Sequence, residues 1–279
     1  MTDQIGVHAF AGGGLARSAL SYVDKLGAGS VQVFIGNPRG WAQAVGDPEQ
    51  DRLFTDGCGE RGIPAFIHAP LLVNLGSPTQ ATVAKSIEAL THAVARGKAI
   101  GARGVVFHAG SSVDAAYADQ AWKQVREALL PLLDAASSLD GPRLLVEPSA
   151  GGGRSLAARV EDLAEYFDAV DRHPWLGVCF DTCHAWAAGH DLAQPGGMAA
   201  TLDALVATVG FGRLQLVHAN DSKDPVGSTR DRHEAIGRGT IGLAAFGELL
   251  AHPAVAGVPL IVETPGETHA EDLAALRSL

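Results

Sequence analysis

Eight short apolar runs of β character alternate with eight segments of helical spacing, and this alternation restricts the fold more than any other feature of the chain. The runs are Ile5 to Phe10, Ser30 to Gly36, Pro64 to Pro70, Gly104 to Gly110, Arg143 to Ser149, Leu176 to His184, Leu214 to Asp221 and Pro259 to Pro265. The helical segments are Leu15 to Leu26, Pro48 to Arg61, Gln80 to Ile100, Ala115 to Ser138, Leu156 to Val170, Met198 to Val209, Leu243 to Leu250 and His269 to Leu276. Val105-Val106-Phe107 and Leu144-Leu145-Val146 are apolar without alternation, as parallel strands buried on both faces require. The pattern predicts an α/β chain folded as a single (β/α)8 TIM barrel over residues 1–279, with its active site where strands end and loops begin. Gly29, Gly62 and the stretch Gly101 to Gly104 precede strands and read as helix C-caps. Gly12-Gly13-Gly14 reads as a tight turn, since the Lys-Ser/Thr of a phosphate-binding loop is missing.

Seven of the eight runs end in a histidine or carboxylate: His8, His68, His108, Glu147, Asp181 with His184, His218 and Glu263. Only the second run lacks one. Burying a carboxylate without a partner costs several kcal/mol, so several at one end of a barrel demand cations. Imidazole nitrogen and carboxylate oxygen suit zinc, and less readily manganese or iron. In Asp231-Arg232-His233 the outer two side chains point to one side of an extended backbone and can grip one ion while Arg232 faces elsewhere. His68, His108, Glu147, Asp181, His184, His218, Asp231, His233 and Glu263 are more donors than one tetrahedral ion needs. With one bridging carboxylate they suit a cluster of three. Cys179 and Cys183 read as buried packing residues, and the odd count of three cysteines argues against a disulfide scaffold.

A net charge of −10 excludes a protein that coats nucleic acid through a basic surface, but not one with a localised cationic site. Met1-Thr2-Asp3-Gln4 carries neither the basic nor the apolar part of a secretory leader, and no apolar stretch is long enough to span a bilayer. A cytoplasmic protein with no membrane partner is expected. No feature marks a self-association surface, so the expectation is a monomer.

A multinuclear centre lowers the pKa of bound water to roughly 7 and stabilises the leaving oxygen of a phosphodiester. Phosphate-ester hydrolysis is the leading reading. A metal-dependent sugar isomerase or epimerase on the same barrel is the alternative, and would use two ions. A third reading, a noncatalytic binding protein that keeps the metal site for stability, is disfavoured because a structural zinc needs only four ligands and no open position.

The segments Val178-Cys179-Phe180-Asp181-Thr182-Cys183-His184-Ala185-Trp186-Ala187-Ala188-Gly189, His218-Ala219-Asn220-Asp221-Ser222, Gly227-Ser228-Thr229-Arg230-Asp231-Arg232-His233 and Ile261-Val262-Glu263-Thr264 resemble endonuclease IV, the apurinic/apyrimidinic endonuclease of base-excision repair. The resemblance runs nearly end to end. It implies one zinc held by His68, His108 and Glu147, a second sharing Glu147 and adding Asp181, His218 and Glu263, and a third on His184, Asp231 and His233. It further implies incision 5′ to an abasic site in double-stranded DNA, leaving a 3′-hydroxyl and a 5′-deoxyribose phosphate, and removal of 3′ blocking groups. A metal-bound hydroxide would attack the phosphorus, with Glu147 and Glu263 fixing the cluster.

The substrate must turn its abasic nucleotide out to reach such a pocket, so DNA contacts belong to the loops after the strands. Asn37-Pro38-Arg39-Gly40-Trp41 matches the family's penetrating loop, with Asn37 and Arg39 as DNA-contact candidates. Arg230 and Arg232 are phosphate-contact candidates. Two departures stand out. His68-Ala69-Pro70-Leu71 has an aliphatic wedge, Leu71, where well-known members place a tyrosine, and Pro148 follows Glu147 where an asparagine is common.

Overall fold

The computed structural model describes residues 4–279; Met1-Thr2-Asp3, part of the opening read above, lies outside them. In chain order the elements begin with β1 (Ile5–Ala9), a π-helical segment Leu15–Leu20 running into α1 (Ser21–Leu26), β2 (Val31–Phe34), α2 (Pro48–Arg61), β3 (Ala65–His68), α3 (Gln80–Ala99) and β4 (Gly104–His108). They continue with α4 (Ala118–Ser138), β5 (Arg143–Glu147), α5 (Leu163–Ala169), β6 (Leu176–Asp181), α6 (Thr182–Ala187), α7 (Gly197–Val209) and β7 (Leu214–His218). The last are β8 (Asp221–Ser222), β9 (His233–Glu234), α8 (Leu243–Ala251), β10 (Leu260–Val262) and α9 (His269–Arg277). Eight parallel strands close into a barrel in the order β1-β10-β7-β6-β5-β4-β3-β2, as the alternation predicts.

The period of two along each strand ties the barrel's filling to its site. Phe66, Val106, Leu145, Cys179, Leu216 and Ile261, one from each of six strands, form a buried cluster separate from the main core. Two residues further along the same chain stand His68, His108, Glu147, Asp181, His218 and Glu263. Side chains two apart on a strand share a face, so an apolar plug at one level sets a ring of polar side chains at the next. Register places neighbours side by side: His108 pairs with Glu147, Asp181 with His218, and His8 with Gln32. The outer strand faces and the helices make the larger core, including Phe107, Tyr166, Phe167 and Phe246.

Several expectations need correction. The helix expected over Leu156 to Val170 forms only at Leu163–Ala169, after a 3-10 turn at Val160–Asp162. The Leu156 N–H donates to Gly110 O at 2.9 Å and Ala157 O accepts from Ser149 N at 3.0 Å, which ties this stretch in extended form to the neighbouring loops. The cap after α1 is Gly27 at φ 60°, not Gly29, whereas Gly62 caps α2 at φ 65°. The antiparallel pair β8–β9 has no counterpart among the expected strands. That hairpin is organised by the buried Asp221 carboxylate, which accepts from the backbone N–H groups of Ser222, Gly237, Gly239, Ile241 and Gly242 at 2.8–3.2 Å. A Cβ at Gly239 would collide with that carboxylate, so only glycine lets the loop approach.

Candidate metal centre

Glu147, at the tip of β5 and 1% exposed, stands between two donor groups. Its Oε2 lies 3.3 Å from His68 Nε2 and 3.6 Å from His108 Nε2. Its Oε1 lies 3.2 Å from His218 Nδ1, which is also 3.2 Å from Glu263 Oε2 and 3.8 Å from Asp181 Oδ2. A third group forms where α6 meets the hairpin: Asp231 Oδ2 is 3.3 Å from His184 Nε2, and its Oδ1 is 2.9 Å from His233 Nε2. Within each of the three groups the donor atoms lie within 4.8 Å of one another. Two tetrahedral ligands of one zinc stand roughly 3.3 Å apart, so these spacings are those of atoms sharing an ion. All nine residues singled out from sequence therefore meet at one mouth of the barrel.

The imidazoles are oriented for this task. His68 Nδ1 donates to Ala69 O at 2.7 Å, His184 Nδ1 to Pro148 O at 3.0 Å, and His233 Nδ1 to Glu263 O at 3.2 Å. His218 Nε2 donates to the Gln32 side-chain oxygen at 2.9 Å. Each ring thus spends one N–H outward and turns the other nitrogen's lone pair into the pocket. Pro148, which has neither the backbone N–H nor the side-chain amide of an asparagine, serves through its carbonyl. Gln32 and Asn220 are functional neighbours that sequence reasoning missed. The Gln32 amide nitrogen donates to Glu263 Oε1 at 2.8 Å, and Asn220 joins Asp181 Oδ2 at 2.8 Å to the Glu263 N–H at 2.8 Å. Their signal was present: a lone amide inside the apolar run Val31-Gln32-Val33-Phe34, and another inside the quoted His218-Ala219-Asn220 segment.

Burial drives the carboxyls toward protonation and the imidazoles toward neutrality, and mutual pairing opposes it. Against burial, His218, His184 and His68 hold the Glu147 carboxyl well below its ordinary range, and His184 and His233 do the same for Asp231. Burial keeps Asp181 raised. Against burial, Asp181, Asp231 and Glu147 lift His184 well above the usual value, and Asp181 and Asp231 lift His233 to about 9. Burial takes His108 down to about 4. Buried Glu147 Oε2, His233 Nε2 and His8 Nε2 form no well-aligned hydrogen bond, although the first two stand 3.3 Å from His68 Nε2 and 2.9 Å from Asp231 Oδ1. Such orphaned donor atoms aimed into a pocket are what a cation satisfies, so the donor set fits divalent ions. Burial pushes the thiols of Cys179 and Cys183 up to about 12, which agrees with packing rather than thiolate ligation.

Residues 20–279 match the family model described as a xylose isomerase-like TIM barrel. The "Probable endonuclease 4" of Streptomyces coelicolor is 54% identical over 99% of this chain and 95% of its own length. The crystal structure of endonuclease IV from Thermus thermophilus superposes with a TM-score of 0.86 at 34% identity, covering 99% of this chain and 98% of that one. This chain belongs to the endonuclease IV family. A 3-keto-D-glucoside 4-epimerase from E. coli reaches a TM-score of 0.70 at 16% identity over 99% of both chains, a likeness of fold alone.

Around this endonuclease IV-family centre lies a cavity of about 770 Å³ whose wall includes Arg39, Leu71, Phe10, Tyr22 and His269. Arg39 is exposed at its mouth, on a turn where Asn37 Oδ1 accepts from Arg39 N at 3.0 Å. The Leu71 N–H donates to Pro38 O at 2.9 Å, so the Asn37–Trp41 and Leu71 loops form one unit. The phosphate-contact candidate Arg232 pairs with Asp224, its Nε 2.6 Å from Oδ2, and Arg230 lies 3.6 Å from the same carboxylate. His269 lines the cavity with its Nδ1 3.1 Å from the Tyr22 hydroxyl. Among the described residues no helix is long and apolar enough to cross a membrane.

Proposed function

We propose that this chain is an apurinic/apyrimidinic endonuclease that hydrolyses the phosphodiester 5′ to an abasic site in double-stranded DNA, leaving a 3′-hydroxyl and a 5′-deoxyribose phosphate. Release of 3′ phosphate and phosphodiester blocking groups belongs to the same reading. The observation that carries it is the set of three contiguous donor groups, the first two sharing Glu147, at the floor of a cavity rimmed by Arg39 and Leu71. His68, His108 and Glu147 would hold one zinc; Glu147, Asp181, His218 and Glu263 a second; His184, Asp231 and His233 a third, with manganese or iron acceptable at some positions. Bound there, such ions supply an activated water and positive charge for the leaving oxygen.

The chain's own residues do the rest. Glu147 and Glu263 hold the groups together from β5 and β10, Gln32 and Asn220 fix their orientation, and the plug of Phe66, Val106 and Leu145 closes the floor to water. Arg39 and Leu71, with Asn37 shaping their loop, enter the duplex beside the turned-out nucleotide. Arg230 and Arg232, both beside Asp224 and both exposed, would turn their remaining N–H groups to DNA phosphates. A single barrel domain goes with this reading and is supported by the parallel pairing of β1 with β10 that closes the barrel; a cytoplasmic location and a monomeric state are part of the same proposal.

The third donor group favours phosphoryl chemistry over the sugar-isomerase alternative, which needs two ions. The test is end-group analysis on a duplex with one tetrahydrofuran abasic analogue, which cannot undergo β-elimination. A 3′-hydroxyl product, lost in Glu263→Ala, supports the reading. No cut by zinc-loaded protein ends it.

A further inference from the structure

Phe10 is 82% exposed, the most exposed aromatic side chain among the described residues. It follows β1 directly and lines the 770 Å³ cavity over the donor groups. With His8 and Phe34 it also lines an adjoining cavity of about 620 Å³ walled by Ala11, Leu15, Ile35, Pro38 and Val45. The ring rests on the backbone of Gly12, where a Cβ would collide with it. One edge is thereby held by the glycine turn while the rest of the ring meets water.

A lone exposed apolar side chain is ordinary, but an aromatic ring at the mouth of the cavity that holds the donor groups is placed to meet whatever enters it. The other aromatics of the cavity are engaged. Phe34 packs on His8 and His68 with ring centroids 4.4 and 5.1 Å apart, and the Tyr22 hydroxyl is 3.1 Å from His269. Leu71, on the loop unit that carries Arg39, offers apolar contact but no π face. The chemistry that matches a flat unpartnered ring at this mouth is a nucleobase. An abasic duplex has one base on each side of the lesion that has lost a stacking neighbour, and a phenyl ring restores that contact. A sugar-phosphate backbone has no such face.

We propose that Phe10 is a substrate-contacting residue that stacks on a nucleobase flanking the abasic site and so helps select duplexes with a gap in the stack. This rests on the abasic-endonuclease reading. The Gly12-Gly13-Gly14 turn gains a role: glycine at position 12 lets the ring lie where a base can meet it.

The test uses Phe10→Ala, Phe10→Leu and Phe10→Trp in the full chain, each with zinc content measured. The substrate is a tetrahydrofuran duplex with 2-aminopurine beside the lesion. Phe10→Ala is expected to raise KM about tenfold with kcat changed little, Phe10→Trp to restore KM, and Phe10→Leu to recover much less. Wild-type protein should quench the 2-aminopurine and Phe10→Ala should not. An unchanged KM in Phe10→Ala, or rescue by leucine as complete as by tryptophan, overturns the stacking role. If wild-type protein does not cut, the endonuclease reading fails separately, and the quenching titration alone then decides Phe10: a quench lost in Phe10→Ala keeps the proposal, and no difference overturns it.

Discussion

Gln32→Leu replaces a fully buried amide with an apolar group of similar size at the one strand whose run lacks a histidine or carboxylate. The amide oxygen accepts from His218 Nε2 at 2.9 Å, and its nitrogen donates to Glu263 Oε1 at 2.8 Å and lies 3.0 Å from His8 Nδ1. The substitution strands the His218 N–H at a cost of roughly 1–3 kcal/mol and removes a charge-assisted bond worth roughly 1.5–3 kcal/mol. His8 Nδ1 still reaches Glu263 Oε1 at 2.7 Å, so the second loss falls at the low end. Metal-free protein should lose about 3 kcal/mol of unfolding free energy in urea. Loss of the partner that orients the imidazole should weaken metal affinity roughly 10–100-fold. Competition against a chromophoric chelator measures this, and the loss should concentrate in the step that fills the group containing His218. Folded Gln32→Leu protein with wild-type affinity at every step would refute the reasoning, because barrel packing rather than Gln32 would then be holding the ring.

Three further outcomes follow from the same geometry. His233, His184 and His218 have folded pKa values above the unfolded value near 6.5, so in chelated protein their contribution is complete below that pH and is lost as pH rises. For His233 the loss ends near 9 and is on the order of 3 kcal/mol; a Tm of chelated protein that stays flat or rises from pH 6.5 to 9 would contradict it. Asp221→Ala removes the acceptor of five backbone N–H groups and should free the hairpin that carries Asp231 and His233, so zinc analysis should find about two ions where wild type holds three. Arg39→Ala should slow incision of abasic duplex roughly tenfold with zinc content unchanged, and equal activity with tight DNA binding would remove Arg39 from the loop that enters the duplex.

The barrel and the ligands were legible for one reason. Strand residues two apart share a face, so an apolar run ending in a lone histidine or carboxylate reports both the plug and the donor above it. Phe66 with His68 and Leu145 with Glu147 are the plainest cases. The same rule hid Gln32, because its run continues to Phe34 and the amide sits one step below the tip. The hairpin was illegible because β8 and β9 are two residues each and owe their pairing to a carboxylate that organises the loop, not to strand propensity. The segment from Leu156 has helical spacing, but its backbone hydrogen bonds go to neighbouring loops. The Arg232–Asp224 pair was illegible because Asp224, eight residues earlier, becomes a neighbour only when the chain folds back. Phe10 carried no signal at all: an aromatic at a strand end is ordinarily core, and only its exposure sets it apart.

The most direct measurement adds zinc stepwise to chelated protein and follows hydrolytic incision of a duplex bearing one tetrahydrofuran. Nine donors in three bridged groups predict a 3′-hydroxyl product whose rate reaches its plateau only near three equivalents. Full activity at one equivalent, or no product from protein that holds three, would contradict the account.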